Sequence, residues 1–368
     1  MPVVADDVNT AGYVAPGYEP VREAFTAHAC GGSALSVLRH GEVVVDLREG
    51  WRDASHSADW DERTLVNVYS VGKPIIALAA LLLVERGLVG LDDPVTRHWP
   101  QFKTAASVRQ VLTHTAGLPT FPVPRDASAW QDWELLCGDL ANAEPEWPPG
   151  TVAAEHAFTY GHLLGELVRR VTGREPGAFV AEEIARPWGL DLGFGLAGDD
   201  LGRCANLEFD SPDWPERMLG EPGSVHARAV ANPAGARDLA LVNSPSWRTA
   251  VVPAINLHTT AEAVARCYAG LLAGGELDGH RLLSASLVEE MTAAQFTGMD
   301  HFIGRETTWG LGVQIEGDGT WGMGGLGGSA GWADPARGHA IAYVTRRLGG
   351  FTRVDAIDTA ISSVRLLS

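Results

Sequence analysis

Apolar runs near both ends of the chain predict the strands of one sheet. Residues 33–50 hold two β-rich runs on either side of His40 and Gly41, which is the pattern of a hairpin. Near the carboxyl terminus, Gly, Asp and Pro turns separate three more predicted strands, at residues 309–316, 331–333 and 339–345. Because strands come from both ends, we expect the two ends to build a single sheet.

Other segments have the spacing of apolar residues that is typical of helices. These predicted helices lie at residues 21–29, 74–85, 108–112, 161–171, 177–185, 261–272 and 353–367. Residues 189–252 are rich in Pro, Gly and Trp and show little periodicity, so we expect an ordered loop there. The pattern predicts an α/β fold in which residues 1–60 and 260–368 form a discontinuous α/β domain and residues 61–259 form a mainly helical domain.

Charge limits the partners of this 368-residue chain. Asp and Glu number 46 against 28 Lys and Arg, for a formal net charge of −18, which repels phosphate backbones and anionic membranes. The longest apolar run, residues 75–84, is about half the roughly 20 residues that a membrane span needs, and it is predicted to be a buried core helix. Residues 1–14 lack the basic and apolar parts of a signal peptide. We expect a cytoplasmic protein that binds neither nucleic acid nor membrane.

No metal or organic cofactor is indicated. Cys30, Cys137, Cys204 and Cys267 are scattered, without a CxxC pair or paired His spacing, so they are expected to be reduced and buried. There is no HExxH segment and no acidic calcium loop.

A pair of residues at the start of the most apolar helix points to nucleophilic chemistry. Lys73 and Lys103 are the only lysines, so 26 of the 28 basic residues are Arg. A desolvated Lys can release a proton whereas Arg cannot. Ser70 precedes Lys73 by three residues, which places both on one face at a helix start, where a Lys amine can activate a Ser hydroxyl. The alternative is that Ser70 caps the helix and Lys73 lies at the surface, because SxxK is common by chance.

The surrounding sequence resembles the serine β-lactamase-like superfamily. Residues 68–84 (VYSVGKPIIALAALLLV), 87–94 (GLVGLDDP) and 111–119 (VLTHTAGLP) are similar to the branch that holds class C β-lactamases, D-aminopeptidases and family VIII carboxylesterases. The resemblance implies a β-lactamase/transpeptidase-like fold, with an antiparallel sheet flanked by helices and a helical subdomain. It also implies that Ser70 is acylated, that Lys73 is the base and that His114 is structural.

A glycine-rich segment, residues 321–335 (WGMGGLGGSAGWADP), is similar to the third motif of that superfamily. By resemblance, Gly324 and Gly325 let an acyl group lie against a strand, and the N–H groups of Leu326 and Ser70 form the oxyanion hole.

Met323 stands where penicillin-recognising relatives carry Lys, which attracts the substrate carboxylate. A thioether cannot do this, so we expect a neutral ester or amide as substrate rather than a β-lactam. Trp321 and Trp332 flank the motif and are candidates for an apolar acyl pocket.

The second motif departs from the family pattern. Its Tyr normally comes four residues after the Thr of a Pro-Gly-Thr turn, and in this chain that position, counted from Thr151, is Glu155. Three interpretations are open. Glu155 faces Lys73, keeps it protonated and accepts the Ser70 proton; or the loop shifts and Tyr160 supplies the phenol; or the site is degenerate and the protein binds without turnover.

Three other signals remain. A carboxylate at Glu155 could instead hold an incoming amine, so that the acyl group passes to nitrogen. His162, on the first turn of a predicted helix, is a weaker candidate for the pocket wall. Ser329 lies in a GxSxG match, but no helix follows it, so we do not expect it to be the nucleophile.

The sequence therefore predicts a serine acyl-transfer enzyme, most simply an esterase-type hydrolase of a small neutral ester or amide. A transacylase with an amine acceptor and a catalytically degenerate binding protein are the alternatives.

Overall fold

A computed structural model describes residues 9–364 of the chain. Its strands are β1 (Thr10–Val14), β2 (Gly32–Arg39), β3 (Glu42–Gly50), β4 (Val66–Asn67), β5 (Leu192–Gly193), β6 (Glu208–Phe209), β7 (His258–Thr259), β8 (Glu276–Leu277), β9 (His280–Arg281), β10 (Phe296–Asp300), β11 (Arg305–Trp309), β12 (Gln314–Ile315), β13 (Trp321–Gly324), β14 (Ala330–Asp334), β15 (His339–Thr345) and β16 (Arg347–Leu348). Nine of them form one sheet in the order β1-β3-β2-β15-β14-β13-β12-β11-β10, and every neighbouring pair is antiparallel.

Both ends of the chain meet in this sheet, as the apolar pattern predicted. The hairpin of β2 and β3 turns at His40 and Gly41, whose φ angles of 49° and 86° are those of the tight turns that suit strand twist. Residues 10–50 and 296–345 supply every strand of the large sheet, and β15 pairs with β2 along its length.

The helices are α1 (Glu19–Ala27), α2 (Lys73–Glu85), α3 (Val108–Leu112), α4 (Trp133–Ala141), α5 (Tyr160–Thr172), α6 (Pro176–Val180), α7 (Arg186–Trp188), α8 (Trp214–Arg217), α9 (Val225–Ala231), α10 (Leu239–Val242), α11 (Pro245–Thr249), α12 (Ala261–Leu272), α13 (Ala285–Thr292) and α14 (Thr352–Ser363). They cover the sheet on both faces. Alternate residues of β15 are apolar on both faces of the sheet, so each face is covered by helices. Ala340 and Ala342 pack on the side of α12, whereas Ile341 and Tyr343 pack on the side of α1 and α14. The expected α/β fold, with an antiparallel sheet flanked by helices, is confirmed.

Helix α2 is the predicted buried core helix. Its residues 75–83 are at most 3% exposed, and it packs against α5 and α6. No helix within residues 9–364 combines the length and the apolar character needed to cross a bilayer.

Two local predictions were wrong. The strand predicted at residues 309–316 is interrupted, because the chain turns at Gly310 and Gly312 between β11 and the short β12. The loop predicted at residues 189–252 contains four short helices, α8 to α11, three of which start at a capping side chain: Ser224, Asp238 and Ser244. Helices of four to seven residues are too short to show a period.

The last predicted helix is α14, which ends at Ser363; residues 365–367 of that prediction lie outside the described residues. The domain boundaries at residues 60 and 260 stay predictions.

Candidate active site

Ser70 begins a single 3₁₀ turn, Ser70–Gly72, which runs directly into α2. The preceding residue, Tyr69, is buried and has a φ of 49°, a left-handed conformation that costs free energy in a residue with a bulky side chain. Its phenol donates to the carbonyl of Ala236 at 3.2 Å, which anchors the strained residue. This constrained residue leads directly into the turn that carries Ser70.

Lys73 is fully buried and its ammonium group faces Ser70. Nζ lies 2.6 Å from Ser70 Oγ, 2.9 Å from Glu155 Oε1 and 3.4 Å from the carbonyl oxygen of Ala254. Burial lowers the pKa of Lys73, and the adjacent Glu155 carboxylate opposes that shift.

Glu155 completes the cluster. Ser70 Oγ donates to Glu155 Oε1 at 3.4 Å, a long contact of the kind that tightens when a substrate binds. Glu155 is 7% exposed and lines the large cavity described below. The structure thus brings together Ser70, Lys73 and Glu155. These are the three groups of the interpretation in which Glu155 faces Lys73 and accepts the Ser70 proton.

Backbone contacts hold the Glu155 segment from two sides. On one side His114 accepts the N–H of His156 on Nδ1 at 3.0 Å, and its carbonyl accepts the N–H of Ala154 at 3.1 Å. On the other side Asp300 Oδ1 accepts the N–H of Glu155 at 3.2 Å. Burial holds the pKa of His114 well below its usual range, so this ring is a neutral structural element.

Tyr160 is placed differently. It is the first residue of α5, and its phenol donates to the carbonyl of Leu112 at 3.2 Å while its ring lies 4.4 Å from that of His114. Burial raises its pKa. Tyr160 has no hydrogen bond to Ser70 or Lys73, so the structure does not bring its phenol into the cluster.

His162 also lies away from the cluster. Its ring stacks on Trp133 with centroids 4.7 Å apart and meets the edge of Phe121 at 5.5 Å. Burial lowers its pKa to about 3. It is a neutral core residue of the helical part and does not line the cavity.

Strand β13 and the turn after it lie against the start of α2. A Cβ on Gly325 would be 2.2 Å from the carbonyl oxygen of Val68, so this glycine lets the turn approach the chain just before Ser70 instead of leaving room for an acyl group. A Cβ on Gly324 would lie 2.8 Å from the ring of Phe351, on the cavity wall. The N–H of Leu326 has no acceptor within residues 9–364.

A cavity of about 810 Å³ opens beside this strand and reaches Glu155. Its apolar walls come from Ile303, Trp321, Met323, Trp332, Phe351 and Val354. Its polar lining includes Glu316, Asp318, Asp355 and Asp358, against the single cation Arg305, which pairs with Glu316 at 3.5 Å. The lining favours a neutral or cationic ligand over an anionic one.

Two groups of this region were not foreseen. Asp300 lies 145 positions after Glu155, so no local sequence pattern links the two residues. The Ala254 group is a backbone carbonyl, and an Ala side chain carries no sign of such a contact. Ser329, the discounted serine, accepts the N–H of Thr345 on its hydroxyl at 3.1 Å and holds the turn after β13.

All four cysteines are buried and unpaired, and no cluster of metal-ligating side chains occurs within residues 9–364.

The chain is similar to known proteins in sequence and in fold. A family model described as Beta-lactamase matches residues 19–365. The esterase/beta-lactamase LipL of Mycobacterium tuberculosis is 33% identical over 353 residues, covering 88% of this chain and 79% of LipL.

Solved structures are similar as well. A family VIII carboxylesterase superposes with a TM-score of 0.88 at 30% identity, covering 97% of this chain and 100% of its own. A penicillin-binding protein homologue from Caulobacter crescentus gives a TM-score of 0.84 at 32% identity, with coverage of 97% and 100%. The expectation of an enzyme of the β-lactamase-like serine hydrolase class is confirmed, and the chain belongs to the beta-lactamase family.

Proposed function

We propose that the protein is a serine esterase that acts on small neutral esters through an acyl-Ser70 intermediate. The observation that carries the proposal is the contact of Ser70, Lys73 and Glu155 at the edge of a largely apolar cavity. The similar LipL is described as an esterase/beta-lactamase, and a similar solved structure as a family VIII carboxylesterase, which supports the same activity.

Glu155 is the proposed proton acceptor. The three hydrogens of a Lys73 ammonium have three acceptors in reach, namely Ser70 Oγ, Glu155 Oε1 and the Ala254 carbonyl, so the contacts suit a protonated Lys73. A protonated Lys73 cannot take the Ser70 proton, whereas the Glu155 carboxylate can. Lys73 then stabilises the negative charge that develops on Ser70 Oγ.

The reaction follows in two steps. Ser70 Oγ forms a bond to the ester carbonyl carbon as its proton passes to Glu155, and the carbonyl oxygen takes the negative charge next to the N–H groups of Leu326 and Ser70. The tetrahedral intermediate collapses as the bond to the alcohol oxygen breaks, and Glu155 returns the proton to the leaving alcohol. Water then repeats the sequence on the acyl-enzyme. Tyr160 stays the alternative acceptor, although its phenol is bonded to Leu112.

The cavity supports the choice of substrate. Met323 is 5% exposed and packs with Ala153 and Trp309, so the strand offers a thioether where a carboxylate-binding Lys would stand. Together with the five acidic residues of the lining, Glu155 among them, this disfavours anionic substrates, among them the carboxylate of a β-lactam. Trp332 and Gly324 line the same wall.

A second candidate function is transfer of the acyl group to an amine. The observation that favours it is the acidic lining, since carboxylates attract a protonated amine and Glu155 can remove its proton beside the acyl-serine.

Cytoplasmic location also remains a prediction, which cell fractionation would test.

The test is the intact-protein mass after incubation with p-nitrophenyl butyrate, with and without added n-butylamine, for the wild type and Ser70→Ala. We expect one butyryl adduct that requires Ser70 and clears in buffer with release of butyrate. An adduct that clears only with amine, forming N-butylbutyramide and free Ser70, would instead support the transacylase. Neither an adduct nor release of butyrate or amide by the wild type would contradict both functions and favour a binding protein.

A further inference from the structure

A second buried carboxylate, Asp300, lies behind Glu155. Asp300 ends β10 and is 0% exposed. Its Oδ1 accepts three backbone N–H groups, those of Glu155 at 3.2 Å, Phe302 at 2.9 Å and Ile303 at 2.9 Å, and its Oδ2 accepts the indole N–H of Trp309 at 3.0 Å. Both oxygens therefore accept from groups that other parts of the fold hold in place.

These contacts tie the Glu155 segment to the sheet. Ala153 forms a parallel bridge with Asp300, and the N–H of His301 donates to the Ala153 carbonyl at 2.9 Å. Ile303, whose N–H Asp300 also holds, lines the substrate cavity. The Asp300 side chain thus connects the backbone of Glu155, the cavity wall and Trp309, the last residue of strand β11.

An amide could not replace this carboxylate without a conflict. All four neighbouring groups are donors, and an Asn would direct its own N–H₂ either at the Trp309 indole N–H or at the backbone N–H groups. A buried carboxylate so near a second one is also unfavourable: burial raises the pKa of Asp300, and the charge of Glu155 adds to that increase. A role in holding the neighbouring acid would explain why the structure accommodates both.

We propose that Asp300 is a positioning residue that acts through Glu155, fixing its backbone so that the carboxylate stays within reach of both Ser70 Oγ and Lys73 Nζ. The inference rests on the proposed role of Glu155 as proton acceptor. It predicts that Asp300 matters for acylation only while Glu155 is present.

A double-mutant cycle tests this dependence. The rate of acylation by p-nitrophenyl butyrate is measured as the p-nitrophenolate burst in the wild type, Asp300→Asn, Glu155→Gln and the double variant. We expect Asp300→Asn to slow acylation roughly 10- to 100-fold in the wild-type background, because a displacement of about 1 Å at a reacting group has effects of this size. In the Glu155→Gln background the same change should alter the rate by less than about threefold.

Glu49→Gln is the matched control. Glu49 is another buried carboxylate that accepts only from fixed donors, and it belongs to the hairpin, away from Ser70. Its substitution should lower the melting temperature and leave the acylation rate unchanged. If Asp300→Asn does not fold, Trp309→Phe removes the opposing indole N–H and the cycle is run in that background.

The outcomes separate the two proposals. If Glu155→Gln alone does not slow acylation, the proposed role of Glu155 is wrong. If Glu155→Gln slows acylation and Asp300→Asn does not, or if Asp300→Asn slows it equally in both backgrounds, then Glu155 keeps its role and the positioning role of Asp300 is overturned.

Discussion

In two regions of the molecule a serine hydroxyl donates to a buried glutamate, and only one of the two has the properties of an active site. In the hairpin, Ser33 donates to Glu49 at 2.6 Å, and Glu49 also accepts the N–H groups of Cys30 at 3.1 Å and Gly31 at 3.0 Å. At the start of α2, the corresponding contact between Ser70 and Glu155 is longer, at 3.4 Å. A short bond between serine and glutamate is therefore not what distinguishes the proposed active site.

The difference lies in what else each glutamate meets. Donors of fixed position occupy the Glu49 carboxylate, and Glu49 does not line the cavity beside β13. Glu155 faces a buried cation, Lys73, and a cavity. A carboxylate that accepts only from donors of fixed position stabilises the fold, whereas one that shares a cation with a nucleophile at a cavity can move protons.

Removal of each of the two serine hydroxyls should have the largest and most different effects. Ser70→Ala should lower esterase activity by roughly 10⁴-fold or more, since loss of a nucleophile removes the covalent route. Ser33→Ala should keep wild-type activity and lower the free energy of unfolding by about 1–3 kcal/mol, because it leaves a buried carboxylate short of one donor. Steady-state hydrolysis of p-nitrophenyl butyrate and urea unfolding measure the two effects. Equal activity of the two variants would contradict the assignment.

The two lysines of the chain, Lys73 and Lys103, allow a second comparison. Lys73→Met should slow acylation by roughly 10²- to 10³-fold, because it removes the charge that stabilises the developing alkoxide. Lys103 is exposed, so Lys103→Met should not change the rate. Burst kinetics with the same ester compare both variants with the wild type, and a slow Lys103→Met variant would show that general charge loss is responsible.

A change in cavity charge should have a smaller effect. Met323→Lys places an ammonium on the cavity wall, and we expect it to raise kcat/KM for the hemisuccinate ester of p-nitrophenol relative to the butyrate by about tenfold, which corresponds to about 1.4 kcal/mol. Met323→Leu keeps the wall apolar and is the control. A selectivity that stays the same in Met323→Lys would mean that Met323 does not face the acyl group.

Acid should affect the fold through histidines that take no part in catalysis. Burial lowers the pKa of His162 to about 3 and that of His156 to about 4. Between pH 6.5 and these values the unfolded chain binds protons that the folded chain does not, so the free energy of unfolding falls as pH falls, by at most about 1.4 kcal/mol per pH unit for each group. His162→Phe should make this slope shallower. Urea unfolding from pH 7 to pH 4 measures it, and an unchanged slope would contradict the predicted cause.

The sequence predicted those parts of the site that are local in the chain. Ser70 and Lys73 are three residues apart at a helix start, so their approach follows from helix geometry, and the motif spacing marked Glu155. The orientation of Tyr160 toward Leu112 and of His162 toward Trp133 could not be predicted, since it depends on how α5 rotates against its neighbours. Asp300 could not be found either, because it binds a backbone N–H, which every residue except Pro carries.

The elements of the fold also differ in how well the sequence predicted them, depending on whether their cause is local in the chain. Long elements with a clear apolar period, such as α2 and the hairpin of β2 and β3, were predicted close to their actual bounds. The four short helices within residues 189–252 depend on capping side chains and on packing against distant parts of the chain. The periodicity of apolar residues does not reveal either of these.

We infer that Glu155, in the place of the family Tyr, accepts the Ser70 proton. Single-turnover acylation by p-nitrophenyl butyrate, measured side by side in Glu155→Gln and Tyr160→Phe, distinguishes the two possible proton acceptors. We predict that Glu155→Gln slows acylation by roughly 10²-fold or more and that Tyr160→Phe stays within about threefold of the wild type. The reverse order, with a slow Tyr160→Phe and a fast Glu155→Gln, would contradict the account.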